Sequence, residues 1–326
     1  MQKQLMEKQE LKDLLASAKT GNAKSARLLA AYYQDTNDLK KAFKWYTVSA
    51  SGGNAIGMVG LGDCYQYGVG TKKDYDAALA QYLAAAELKY PVAYKKLGSL
   101  YEMGLLSTKA DYVEATKWYK LGAETGDIDS CYSLGRIYEN GKVAKADGAE
   151  AVKWYTVSAD KGHLLSLSAL GFIYSSGRGV PKNLEAAFQI AVRLADIADN
   201  KNLENDRLNL ADLYMDGRGT PQDVRSALLI YLDLGRKGNL NALVTAAEIY
   251  YYGKGEVPRD YKEAAKLYKR AADNGDAEAQ YQFGLMAEKG LGTAENPFTA
   301  KKYLTLAADQ EHFNAMVKLG RKRVFN

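Results

Sequence analysis

Small and apolar residues recur along this chain at fixed offsets from a tyrosine. Leu, Gly and Tyr stand at relative positions −4, −3 and 0 in Leu61-Gly62-x-x-Tyr65, Leu97-Gly98-x-x-Tyr101, Leu134-Gly135-x-x-Tyr138 and Leu170-Gly171-x-x-Tyr174. Looser copies are Leu29-Ala30-x-x-Tyr33, Leu210-Ala211-x-x-Tyr214, Ala246-Ala247-x-x-Tyr250 and Phe283-Gly284-x-x-Ala287, and Leu319-Gly320 closes the series. Offsets of three and four place these residues on one face of a helix. Position −8 adds small residues to that face (Ser25, Gly57, Ala93, Ser130, Ser166, Ala242, Ala279 and Ala315), with Asp206 the exception. Small side chains there let neighbouring helices approach closely. A glycine three residues after the tyrosine marks the helix stop, and a second often follows at +5, as in Gly68/Gly70, Gly177/Gly179, Gly217/Gly219, Gly253/Gly255 and Gly290/Gly292.

A second helical pattern follows each first one. It starts near Asp74, Asp111, Asp147, Asp223 or Asp260, acids suited to cap a helix. An alanine, an aromatic pair and another alanine come next, as in Ala42-x-x-Trp45-Tyr46…Ala50, Ala115-x-x-Trp118-Tyr119…Ala123 and Ala151-x-x-Trp154-Tyr155…Ala159. The pattern predicts buried tryptophans, Trp118 among them. From Tyr65 onward the anchors fall 36, 37, 36, 40, 36 and 37 residues apart. A period in that range marks a solenoid, whose units bury apolar faces only against their neighbours. One elongated array of helix pairs is therefore expected, with a long surface for binding rather than a cleft for chemistry.

Leu-Gly-x-x-Tyr, then Gly-x-Gly, then Asp-x-x-x-Ala-x-x-Trp-Tyr-x-x-x-Ala-x-x-Gly at this spacing resembles the Sel-1-like repeat family, a relative of the tetratricopeptide repeat. The resemblance implies an all-α fold, a right-handed α/α superhelical solenoid. It divides the chain into an N-terminal capping helix over residues 1–21, about eight repeats over 22–310 and a C-terminal capping helix over 311–326. Two departures stand out. The unit of Tyr174 has Ile190-Ala191 in place of the aromatic pair and about four extra residues near Asp199, so the array either bends near 196–205 or carries a tolerated loop insertion. The units of Tyr101 and Tyr138 have Leu106 and Val143 where the second loop glycine belongs.

For function the resemblance implies a non-catalytic scaffold that binds another protein or a peptide segment. An adaptor, an immunity protein neutralising a secreted toxic effector such as a lipase, and a virulence factor all fit. A cysteine-rich branch of the family is linked to β-lactam hydrolysis, but it staples every unit with a cysteine pair. This chain has only Cys64 and Cys131, two repeats apart and too distant to bridge.

Composition narrows the picture little further. The net charge of +5 is mild, with no basic run of the length that nucleic-acid binding needs. No apolar stretch approaches the length of a membrane span. The ten N-terminal residues lack the apolar core of a signal peptide, which points to the cytoplasm, or to the periplasm or envelope if a leader has been removed. The glycine pairs follow helices rather than strands and lack a Gly-Lys-Ser/Thr, so they are loop glycines and not a phosphate cradle. The two histidines, His163 and His312, lie about four repeats apart and form no metal or catalytic set; His163 is expected to be a solvated turn residue. No cofactor is expected, and the chain reads as a monomer.

In tetratricopeptide-type arrays the first helix of each unit lines the concave surface. Carried over, positions −9, −6, −2 and +1 face inward. They supply an apolar strip of Tyr132, Leu165, Phe172, Leu208, Met215, Val244, Tyr251 and Tyr281, with Arg136 among them and acids flanking it at Asp212, Glu248 and Glu288 and, further up, Glu102 and Glu139. An apolar strip rimmed by charge is a binding surface unless curvature packs it against neighbouring helices. The expected ligand is an apolar segment with some basic character.

Overall fold

A computed structural model describes residues 8–106, 109–143, 145–197 and 203–321. Among them stand eighteen α-helices and no strand. After α1 (Lys8–Lys19) the helices alternate in type. The first helices of the repeats are α2 (Ala23–Asp35), α4 (Ala55–Tyr67), α6 (Pro91–Glu102), α8 (Ile128–Glu139), α10 (Leu164–Ser176), α12 (Leu203–Asp216), α14 (Leu240–Tyr252) and α16 (Ala277–Lys289). The second helices are α3 (Leu39–Ser51), α5 (Tyr75–Glu87), α7 (Tyr112–Glu124), α9 (Gly148–Asp160), α11 (Leu184–Asp196), α13 (Val224–Arg236), α15 (Tyr261–Asp273) and α17 (Pro297–Asp309). The short α18 (Phe313–Lys318) closes the series.

The helix starts follow from the caps. Asp74, Asp111, Asp147, Asp223 and Asp260 each accept a hydrogen bond from the backbone N–H three residues on. Asn22, Asn54, Asp127, Asn239 and Asp276 do the same for first helices. Each such cap is worth about 1 kcal/mol.

The chain divides into two compact units, and the division falls within α10. One unit runs to Leu170 and includes Arg178–Val180; the other holds Gly171–Gly177 and everything from Pro181. Each is an all-α solenoid of tandem helix pairs. The bend considered near 196–205 concerns a segment whose residues 198–202 lie outside the described ones.

Within a repeat, the glycine at −3 receives the ring of the second helix. A Cβ on Gly62, Gly98 or Gly135 would lie 2.5, 2.6 or 2.5 Å from the ring of Tyr82, Tyr119 or Tyr155. Between repeats, the −8 position meets the preceding second helix: a Cβ on Gly57 would lie 2.2 Å from Ser49 Oγ. The second loop glycine has a separate task. Gly70, at φ +71, sits so close to the first turn of α3 that a Cβ would lie 2.1 Å from the Leu39 carbonyl oxygen. Gly219 on Leu184 and Gly292 on Tyr261 repeat the contact in the second unit, at 2.0 and 1.9 Å. The loop of one repeat is thus seated on the second helix of the repeat before it, and any side chain would lift it off. Where that glycine is missing, Leu106 packs against the local core and Val143 is exposed.

Two expectations need adjusting. Trp118 and Trp154 are only half-buried, and each has a buried Nε1 without a partner. The core aromatic is instead the tyrosine that follows, for Tyr119 and Tyr155 are 2% and 1% exposed. His163 is no solvated turn residue. Its Nδ1 accepts from the Ser166 N–H at 3.2 Å, capping α10, and its ring packs on Tyr132 at 4.7 Å. The two cysteines are free and buried, as their separation required, and burial pushes the Cys64 thiol up to about 12.

Candidate protein-binding surface

The water-facing side of the first helices carries acids, and the two units use them differently. In the first unit each acid takes a buried tyrosine hydroxyl from its own repeat and a cation from the next. Asp63 accepts from the Tyr82 hydroxyl at 2.6 Å and pairs with Lys96 Nζ at 2.7 Å. Glu102 accepts from Tyr119 at 2.7 Å and from Arg136 Nη2 at 2.9 Å. Glu139 accepts from Tyr155 at 2.8 Å and pairs with Arg178 at 3.3 Å. Burial first, and the nearby carboxylate second, drive the hydroxyls of Tyr82 and Tyr119 far above the ordinary tyrosine range; for Tyr155 the Glu139 hydrogen bond follows burial. These acids are satisfied from within.

In the second unit Glu288 pairs with Lys318 at 2.9 Å, but Asp212 and Glu248 lack such a cation among the described residues. Asp212 accepts from the Tyr231 hydroxyl at 2.5 Å, which raises that hydroxyl after burial has already done so. Glu248 lies beside the buried Tyr268, whose hydroxyl is raised by burial and then by that carboxylate. Among the described residues no basic side chain pairs with Asp212 or Glu248.

The sequence-derived residues distribute as follows. In the first unit, Tyr132 stacks on His163, and Arg136 lies over its ring at 5.8 Å while pairing with Glu102. On α10, Leu165 of the first unit is 58% exposed and Phe172 of the second is 54% exposed. In the second unit, Leu208 and Met215 on α12 and Val244 and Tyr251 on α14 are half-buried and pack against one core cluster. They form the floor of a surface whose edge holds Asp212 and Glu248. Tyr281 stacks instead on His312 at 4.8 Å, beside the cluster formed by α17 and α18. Leu208, Met215, Val244 and Tyr251 thus make a half-buried apolar floor, while Leu165 and Phe172 stay exposed.

Sequence reading missed the tyrosine–carboxylate bonds. A signal was available: six of the eight second helices place Tyr, never Phe, at the slot of Tyr46, Tyr82, Tyr119, Tyr155, Tyr231 and Tyr268. A position that is buried and still keeps its hydroxyl is using it.

Comparison with known proteins agrees with this architecture. The Sel1 repeat matches eight segments, residues 23–54, 55–90, 91–127, 128–163, 165–196, 207–232, 243–276 and 277–312. Chitin synthase regulatory factor 3 of Schizosaccharomyces pombe is 27% identical over 84% of this chain and 26% of its own length. The ERAD-associated E3 ubiquitin-protein ligase component HRD3B of Arabidopsis thaliana is 30% identical over 82% of this chain and 50% of its own. The crystal structure of c5321, a protective antigen of uropathogenic Escherichia coli with an SLR fold, superposes with a TM-score of 0.66 at 30% identity, covering 95% of this chain and 66% of that one. The chain thus spans from about a quarter to two thirds of these relatives. With tandem helix pairs, buried tyrosines on −3 glycines and eight matching segments in hand, the chain belongs to the Sel1 repeat family, whose solenoids serve as scaffolds for protein interaction.

Proposed function

We propose that this protein is a non-catalytic interaction scaffold whose first-helix surface in the second unit, built on α12 and α14, binds an apolar and basic segment of a partner protein. One observation carries the reading: Asp212 and Glu248 stand at the edge of an apolar floor without the internal cations that Asp63, Glu102 and Glu139 possess. An unpaired carboxylate beside half-buried Leu208, Val244 and Tyr251 suits a ligand that brings both apolar area and positive charge. Relatives named as a regulatory factor and as a ligase component are consistent with a role in assembling or controlling other proteins.

Reversing both charges, with Asp212→Lys and Glu248→Lys, is expected to abolish recovery of the partner in affinity capture from the native cell while leaving the helical circular-dichroism signal intact. Like charges facing each other across an interface cost several kcal/mol, enough for at least about a hundredfold loss of affinity. Undiminished recovery of the same partner by this variant would place the binding surface elsewhere.

A further inference from the structure

The cations missing at Asp212 and Glu248 can be traced position by position, for the last repeat has Lys318 at the place in question and pairs it with Glu288. Lys96, which neutralises Asp63, stands at −5 from the Tyr101 anchor. The same position is Thr245 on α14 and Gln282 on α16. Neither can neutralise an acid, and both are turned onto their own helices. Thr245 Oγ1 donates to the Asn241 carbonyl at 3.0 Å, and Gln282 Nε2 donates to Glu278 Oε1 at 2.6 Å. Two successive acid sites, at Asp212 and Glu248, are therefore open where the equivalent site in the first unit is closed.

The surroundings of Glu248 also suit a cation. Tyr251 meets Tyr252 edge-on at 4.9 Å and Tyr261 at 5.3 Å, and the Tyr268 hydroxyl lies close to Glu248 and to both Tyr251 and Tyr252. Tyr252 is 56% exposed, and Lys254 Nζ lies 6.0 Å from the centre of its ring, so one ring here already accepts a cation. A carboxylate among tyrosine rings attracts a guanidinium or ammonium both by charge and through the ring quadrupoles.

We infer that the partner segment carries two basic side chains, one for Asp212 and one for Glu248, which take the places that Lys96 and its counterparts fill inside the first unit. This rests on the binding surface proposed above and specifies its chemistry. Neighbouring first helices pack about 8–10 Å apart. In a polyproline-II segment, residues three apart share one face and lie about 9 Å apart. The matching motif is Arg or Lys at i and i+3, with apolar residues around them to cover Leu208 and Val244.

The test uses the full chain and fluorescein-labelled synthetic ten-residue peptides, read by fluorescence anisotropy. A Leu/Val-rich peptide with Arg at i and i+3 is expected to bind about tenfold or more tightly than its citrulline counterpart or one with adjacent arginines. Two variants then separate site from fold. Asp212→Asn with Glu248→Gln preserves an acceptor for Tyr231 and should erase the preference. Thr245→Lys with Gln282→Lys supplies the cations from within, as Lys96 does, and should lower the affinity of the Arg peptide about tenfold without loss of helix. Equal affinity for the Arg and citrulline peptides, or unchanged binding by the lysine variant, overturns the two-cation inference. If the citrulline peptide still binds and loses affinity on Leu208→Ala, the surface itself stands. A preference for helical peptides with Arg at i and i+7 also overturns the i, i+3 motif.

Discussion

Both units are expected to unfold abruptly as pH rises beyond about 10. The hydroxyls of Tyr82, Tyr119, Tyr155, Tyr231 and Tyr268 are all raised above the ordinary value of 10.0, with burial the largest cause in each. The folded state therefore holds these protons after an unfolded chain would have released them. Stability is fully present below the unfolded pKa and is lost as pH climbs above it. Each group contributes about 1.4 kcal/mol per pH unit, so the three of the first unit remove about 4 kcal/mol per pH unit and the two of the second about 3. Slopes of that size exhaust the stability of a marginal domain within about two to three pH units. Phenolate absorbance followed alongside far-ultraviolet circular dichroism provides the check. A steep rise in phenolate should coincide with helix loss. Smooth ionisation of every tyrosine with the helices intact would contradict the buried, hydrogen-bonded placement.

Truncating Tyr82 to alanine is expected to cost about 3–5 kcal/mol, the range for removing a large buried aromatic. Its side chain is fully buried, its ring lies on Gly62, and its hydroxyl donates to Asp63 while also meeting Gln66 Oε1 at 2.7 Å. Gly62 cannot fill the space, because its lack of a side chain is what made room for the ring. Tyr82→Phe separates the two contributions, since it keeps the ring and should lose only about 1–2 kcal/mol for the hydroxyl bonds. Lys96 continues to neutralise Asp63 in either variant. Stability in a repeat array is close to a sum over units and their interfaces, so the loss should appear in urea unfolding of the first unit. A Tyr82→Ala protein within about 1 kcal/mol of the parent would remove the tyrosine from the core.

These two expectations also show how far the sequence could be read unaided. Helix pairs, caps and loop stops were legible because each depends on residues a few positions apart: Asp74 caps the amide of Ala77, and Gly68 ends α4 in the left-handed conformation. The second loop glycine was visible as a recurrence, but its reason was not, since Gly70 touches Leu39 across a whole repeat. The same distance hid the state of the acids. Asp63, Asp212 and Glu248 occupy one position relative to their anchors and look alike in the chain. What differs is a partner some thirty residues on, where the first unit has Lys96 and the second has Thr245 or Gln282. His163 was misjudged for a related reason. A histidine before a helix resembles any polar turn residue until its ring is seen bonding Ser166 and packing on Tyr132.

Site-directed photocrosslinking puts the binding surface to its most direct test. A photoreactive phenylalanine analogue at Tyr251, on the first-helix side of α14, is compared with the same analogue at Leu229, which is 63% exposed on the second helix α13. Irradiation in the native cell should join the partner to position 251 and not to 229, and Asp212→Lys with Glu248→Lys should abolish the product. A partner captured from position 229 alone would contradict the account.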